Sequence, residues 1–138
     1  LPDRTALEVL DVGSGAGFPG LPLRAMRPDV RLTLLEPRAK RAAFLRAVAR
    51  VTGSPQPRVV ESTLEALPPG ETFDVVTLRA LSLPPERLLE HLRPDGILIA
   101  FPGTSESVTA SWDDAGLRLL QELPLPTGPL MAQAWTRA

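Results

Sequence analysis

Residues 9–20 read VLDVGSGAGFPG. Val9–Val12 is a short apolar run bounded by a turn signal, the pattern of a buried strand. Gly13, Gly15 and Gly17 then occupy alternate positions behind Asp11, and Leu21–Arg27 can form a short helix. A strand, a glycine turn and a helix N-terminus together point free backbone N–H groups at a ligand. Without a Cβ in the way, that ligand can come close to the backbone.

Outward from this loop the chain alternates strand and helix. Pro22 is tolerated in the first turn of the helix and Pro28 stops it. Val30–Leu35 is a second strand ending at Glu36. Arg38–Thr52 is a helix, with Phe44, Leu45, Val48 and Val51 as its apolar stripe, Arg46 and Arg50 on another face, and Gly53 as its stop. Arg58–Val60 is a third strand, followed by a helical turn around Thr63–Leu67. Phe73–Leu78 is a fourth strand, Pro84–Leu92 a helix, and Gly96–Phe101 a fifth strand. Short apolar strands alternating with helices imply a parallel sheet covered on both faces. The tail differs. After a brief element at Trp112–Gly116, Leu117–Leu123 and Leu130–Thr136 read as two strands with a short connection, which makes them antiparallel to each other.

The 138 residues are enough for one domain with a real core, spanning residues 1–138. No apolar run approaches a membrane span and Leu1–Leu7 is not a secretory signal, so a cytoplasmic protein without a membrane partner is expected. With no cysteine there is no disulfide, no thiolate metal site and no cysteine nucleophile, and no metal site is expected. One histidine (His91) and no tyrosine leave few general bases. The net charge is −1, but it is unevenly spread: residues 24–50 carry eight bases against Asp29 and Glu36, a local +6, and the remainder carries −7. That zone is either a polyanion footprint or a solvated helix face.

The ligand class follows from the spacing. Counted from Gly13, the third glycine of the dinucleotide fingerprint falls on Phe18, so that motif fails, and no Gly-Lys-Ser/Thr occurs for a phosphate loop. What remains is Asp11-x-Gly-x-Gly-x-Gly followed by Glu36 at the end of the second strand, where an acid can accept both hydroxyls of a ribose. This spacing resembles the first motif of class I S-adenosylmethionine (SAM) methyltransferases. The resemblance implies a Rossmann-like α/β fold: a mostly parallel seven-stranded sheet whose last strand is antiparallel.

A narrower resemblance rests on three stretches. GSGAGFPG at 13–20, Lys40-Arg41-Ala42-Ala43-Phe44-Leu45 and FDVVTLRAL at 73–81 look like the bacterial small-subunit (16S) ribosomal RNA guanine-N7 methyltransferase family, also called glucose-inhibited division protein B. That resemblance implies SAM as cofactor and small-subunit ribosomal RNA as partner. It also implies a catalytic role for Arg79, at the C-terminal end of the fourth strand. The cofactor residues it implies are Asp11, Gly13, Ser14, Gly15, Gly17, Phe18, Glu36, Leu64, Glu65 and Arg79. The chain departs from the family at two basic positions, with Thr63-Leu64-Glu65 where the family has Arg-Ala-Glu and Pro102-Gly103 where it has Lys-Gly. The family's N-terminal helical portion is missing from the sequence.

Guanine N7 carries a free lone pair and needs no deprotonation, which suits a chain poor in general bases. Leu78-Arg79-Ala80-Leu81 does not resemble the Asn/Asp-Pro-Pro-Tyr/Phe motif used for exocyclic amines. Two alternatives stay open: a diverged methyltransferase with a small-molecule acceptor, and a SAM-binding module without catalysis. Single residues also have two readings. Asp11 orders the loop or is purely structural. Glu36 accepts the ribose or caps a helix. Phe18 packs beside the cofactor or fills the core under the loop. Arg79 meets RNA or pairs with Glu61 or Glu65. Lys40 and Arg41 are a helix face or an RNA footprint. His91 is a surface or helix-dipole partner, or a catalyst.

Overall fold

The computed structural model describes residues 6–79, 83–101, 110–126 and 131–138. Ala80, Leu81, Pro102, Gly103 and Leu130, singled out above, lie outside the described residues. The elements in chain order are β1 (Glu8–Val12), α1 (Gly20–Met26), β2 (Arg31–Leu35), α2 (Ala39–Ala49), β3 (Arg58–Val60), a 3₁₀ turn (Leu64–Ala66), β4 (Phe73–Arg79), α3 (Pro85–Glu90), β5 (Leu92–Phe101), α4 (Ala110–Asp114), β6 (Leu117–Pro124) and β7 (Met131–Arg137). They form one seven-stranded sheet in the order β3-β2-β1-β4-β5-β7-β6. Pairing is parallel from β3 through β5, and β7 runs antiparallel to both β5 and β6. The fold is therefore the mostly parallel sheet with an antiparallel last strand that the sequence implies.

Strand alternation sends successive side chains to opposite faces. One face carries Leu10, Val12, Leu35, Val76, Leu78, Leu98 and Trp135, packed with Leu88 of α3 and Trp112 of α4. Trp112 meets Trp135 edge-on, with ring centroids 5.3 Å apart and planes at 76°, a favoured aromatic geometry. The other face carries Val9, Leu32, Leu34 and Val75, covered by Leu45 of α2 and by Leu21 and Leu23 of α1. Helices thus lie on both faces. None among the described residues is long and apolar enough to cross a membrane.

Three local expectations are corrected. The buried face of α2 is Ala42, Leu45 and Ala49, whereas Phe44 is 51% and Val51 83% exposed. Small alanines let the helix axis come close to the sheet, so the seam is narrow and the larger apolar residues fall beside it. Val51 lies beyond the end of the helix. His91 is not at the surface: it follows α3, is 2% exposed, and its Nδ1–H donates to the Glu71 carbonyl at 2.8 Å. β5 begins at Leu92, four residues early, because Phe73 pairs with Leu92 and Val75 with Ile97. The extra residues around Pro94, which has no N–H to offer the ladder, bulge out between them.

Candidate functional site

In parallel α/β sheets ligands gather beyond the C-terminal strand ends, where the connections from adjacent strands part to opposite faces. Here that place lies between β1 and β4, and the loop after β1 fills it. The N–H groups of Gly13 and Ser14 both donate to the Leu35 carbonyl, at 2.8 and 3.0 Å, which pins the loop to the end of β2. Gly17 N–H closes a turn onto the Ser14 carbonyl at 2.7 Å. The Ser14 hydroxyl donates to the Asp11 carbonyl at 2.9 Å.

Asp11 stands behind the loop, fully buried. Its Oδ1 accepts the Thr77 hydroxyl of β4 at 2.8 Å and its Oδ2 accepts Gly20 N–H, the first residue of α1, at 3.1 Å. One carboxylate therefore ties β1, β4 and α1 together. Burial pushes the Asp11 carboxyl up from 3.8 to about 6, against the opposing effect of the hydrogen bonds from Thr77 and Gly20. A raised carboxyl pKa means the fold holds a proton that the unfolded chain releases. The associated stability is complete below pH 3.8 and is lost as pH rises through about 6. The stability of wild type relative to Asp11→Asn is expected to fall by about 1 kcal/mol between pH 5 and pH 7. Urea unfolding at matched ionic strength reads this difference, and a pH-independent difference would contradict the assignment.

Glu36, at the end of β2, is 3% exposed. Its Oε2 accepts Gly15 N–H at 2.8 Å and its Oε1 accepts Arg38 N–H, just before α2, at 3.2 Å. These bonds hold the glycine loop and the residue before α2, and α2 itself has no side-chain cap; the carboxylate also lines a cleft of about 230 Å³ with Val12, Gly13, Leu35, Leu64 and Glu65. Beside this cleft lies a second cavity of about 330 Å³, lined by Gly15, Ala16, Lys40, Arg41, Phe44 and Arg79. Arg41 lines both.

The candidate residues therefore separate into three groups. Gly13, Glu36, Leu64 and Glu65 meet in the first cleft, and Gly15 and Arg79 meet in the second cavity. Asp11, Ser14 and Gly17 are buried behind the loop and build it, and Phe18 is 51% exposed rather than filling the core. Arg79 forms no ion pair with Glu61 or Glu65 among the described residues. Sequence reasoning left Lys40 and Arg41 as a helix face or an RNA footprint and passed over Phe44 as a site residue. The signal was their spacing, since positions 40, 41 and 44 share one side of a helix.

Residues 2–122 match the sequence model of the family GidB, rRNA small subunit methyltransferase G. Among relatives described as "Ribosomal RNA small subunit methyltransferase G", the protein of Frankia alni is 38% identical over 136 residues, which is 93% of this chain and 47% of that protein. That of Nocardioides sp. is 42% identical over 109 residues, 75% of this chain and 43% of its own length. That of Chromobacterium violaceum is 36% identical over 128 residues, 91% and 61% of the two chains. The chain thus spans roughly half the length of these curated relatives. Among solved structures, the glycopeptide N-methyltransferase MtfA complexed with SAM superposes with a TM-score of 0.81 at 13% identity, over 99% of this chain and 89% of that one. A ribosomal protein L11 methylase from Lactobacillus delbrueckii gives 0.77 at 18% identity, over 98% and 72%. At such identities these structures establish the methyltransferase fold. With its sequence match running from before β1 into β6, the chain belongs to the rRNA small subunit methyltransferase G family.

Proposed function

We propose that this domain binds SAM in the Glu36 cleft and directs its methyl group to N7 of a guanine in small-subunit ribosomal RNA. The observation that carries this reading is the pairing of two unlike cavities across Arg41, one ending in a buried carboxylate and the other ringed by cations. The first cavity fits an adenosine. Glu36 presents carboxylate oxygens that can accept ribose hydroxyls, and Leu35 and Leu64 offer an apolar wall to a base. A Cβ built on Gly15 would meet nothing closer than the Arg41 guanidinium at 3.8 Å, so the loop has an open side that a methionyl arm can follow.

Bound SAM supplies an electrophilic methyl group on a sulfonium. The work left to the chain is alignment, which can be worth several orders of magnitude in rate. Glu36 and Leu64 fix the adenosine end, Gly13 and Gly15 let the backbone lie close to the arm, and Arg79 meets the acceptor. No proton has to leave guanine N7 before attack. The buried His91 hydrogen-bonds ahead of β4, at the opposite end of the sheet from the loop, so it takes no part.

The test is methyl transfer from labelled SAM to small-subunit RNA or unmodified small subunits, followed by nucleoside analysis. The expected product is 7-methylguanosine. A different methylated nucleoside, or transfer only to small molecules, would contradict the acceptor assignment. SAM binding without transfer to any acceptor would identify a cofactor-binding module.

A further inference from the structure

The second cavity, which the methionyl arm enters at Gly15, also holds an aromatic ring that the arm does not account for. Its side-chain lining combines an aromatic ring with three cations, Phe44 with Lys40, Arg41 and Arg79, and includes no carboxylate. Among the described residues none of the three cations is held in an ion pair. Phe44 is 51% exposed although it sits in the middle of α2, because the seam against the sheet uses Ala42, Leu45 and Ala49 instead. Its ring is therefore left for something other than the core.

A ligand for this cavity must offer a flat face to the ring and negative charge to the cations. A phosphate alone would leave Phe44 without a partner, and an apolar guest would offer no anion to the three cations. A nucleotide meets both demands, since bases stack on aromatic side chains and basic residues follow the strand. RNA-binding proteins take single, unstacked bases in this way, because a base stacked within a helix hides both of its faces. Arg41 forms the wall shared with the Glu36 cleft, so the nucleotide would lie next to the cofactor.

We propose that Phe44 is the stacking platform for the acceptor guanine, turned out of its RNA strand, with Lys40, Arg41 and Arg79 holding the flanking phosphates. This rests on the methyltransferase reading above and goes beyond it, since it requires the acceptor to be unpaired when bound and assigns recognition to α2.

The test measures equilibrium binding by fluorescence anisotropy. The probe is a labelled single-stranded RNA nonamer with one central guanine, and S-adenosylhomocysteine is present. A second nonamer carries an abasic site in place of the guanine. Phe44→Leu keeps apolar bulk and removes the ring face, and Phe44→Trp keeps a ring. Phe44→Leu is expected to weaken binding of the guanine nonamer about 10-fold, with Phe44→Trp within about 3-fold of wild type. Both variants should bind the abasic nonamer like wild type. Calorimetric titration of S-adenosylhomocysteine should give wild-type affinity in both variants. Equal binding of the guanine nonamer by wild type and Phe44→Leu, the same loss on the abasic nonamer, or no RNA binding by wild type would each overturn the proposal and leave the cofactor assignment standing. Failure of wild type to bind S-adenosylhomocysteine would overturn both.

Discussion

Gly15→Val is expected to weaken SAM binding by about 100-fold or more while leaving the domain folded. Three glycines in this segment look alike in sequence and differ in structure. A Cβ on Gly17 would clash with Leu21 Cδ1, and one on Gly20 would lie 2.7 Å from Asp11 Oδ2 and 2.9 Å from Leu34 Cδ2. Substitution at those two positions strikes the protein itself. At Gly15 the nearest atoms are at 3.8 and 3.9 Å, ordinary contact distances, so an added side chain meets space that the protein leaves open. That space adjoins Arg41 between the two cavities. Gly15 also has φ +56°, where an L-residue costs about 1–2 kcal/mol, an amount a domain of this size tolerates. Gly20→Ala should show the converse pattern, a lower unfolding midpoint through displacement of the Asp11 carboxylate. Calorimetric titration of SAM with parallel thermal melts reads both. Wild-type affinity in Gly15→Val would refute the placement of the methionyl arm.

Arg79→Ala is expected to lower kcat/KM for methyl transfer to RNA by about 100-fold. The sign of the charge defines what this side chain can do. Methyl transfer from a sulfonium to N7 moves positive charge onto the base, so a guanidinium facing N7 would oppose the reaction. On the proposed function Arg79 would instead hold the strand's phosphate so that the base is aligned, and a small misplacement of reacting groups is costly. It is well placed for this as the last residue of β4, exposed, in the cavity that contains Phe44. Arg79→Lys keeps the charge without the planar fork and should recover part of the loss. Steady-state transfer assays on RNA, with SAM titrated independently, separate this role from cofactor binding. Unchanged kcat/KM, or a loss confined to SAM affinity, would contradict it.

What could be read in the sequence depended on the length scale of the physics involved. The alternate glycines act through backbone geometry at their own positions, Asp11 and Glu36 were legible from their spacing to that loop although their contacts reach Thr77 and Gly15, and the apolar strands announce a parallel sheet by composition. The buried face of α2 was not legible, because hydrophobicity ranks Phe44 above Ala42 and Ala49 while close packing against a sheet favours the small residues. His91 does sit at the C-terminal cap of α3, but it is buried, with its ring hydrogen-bonded to the Glu71 carbonyl twenty residues away. The second cavity is assembled from the loop after β1, the side of α2 and the end of β4, which meet only through tertiary packing.

Direct titration of SAM into the wild-type domain tests the central claim, that the glycine loop and Glu36 together form a cofactor site. Saturable 1:1 binding that is lost in Gly15→Val and weakened in Glu36→Ala is the predicted result. No heat or thermal shift at millimolar SAM, in a protein whose melt shows it folded, would contradict the account at its root.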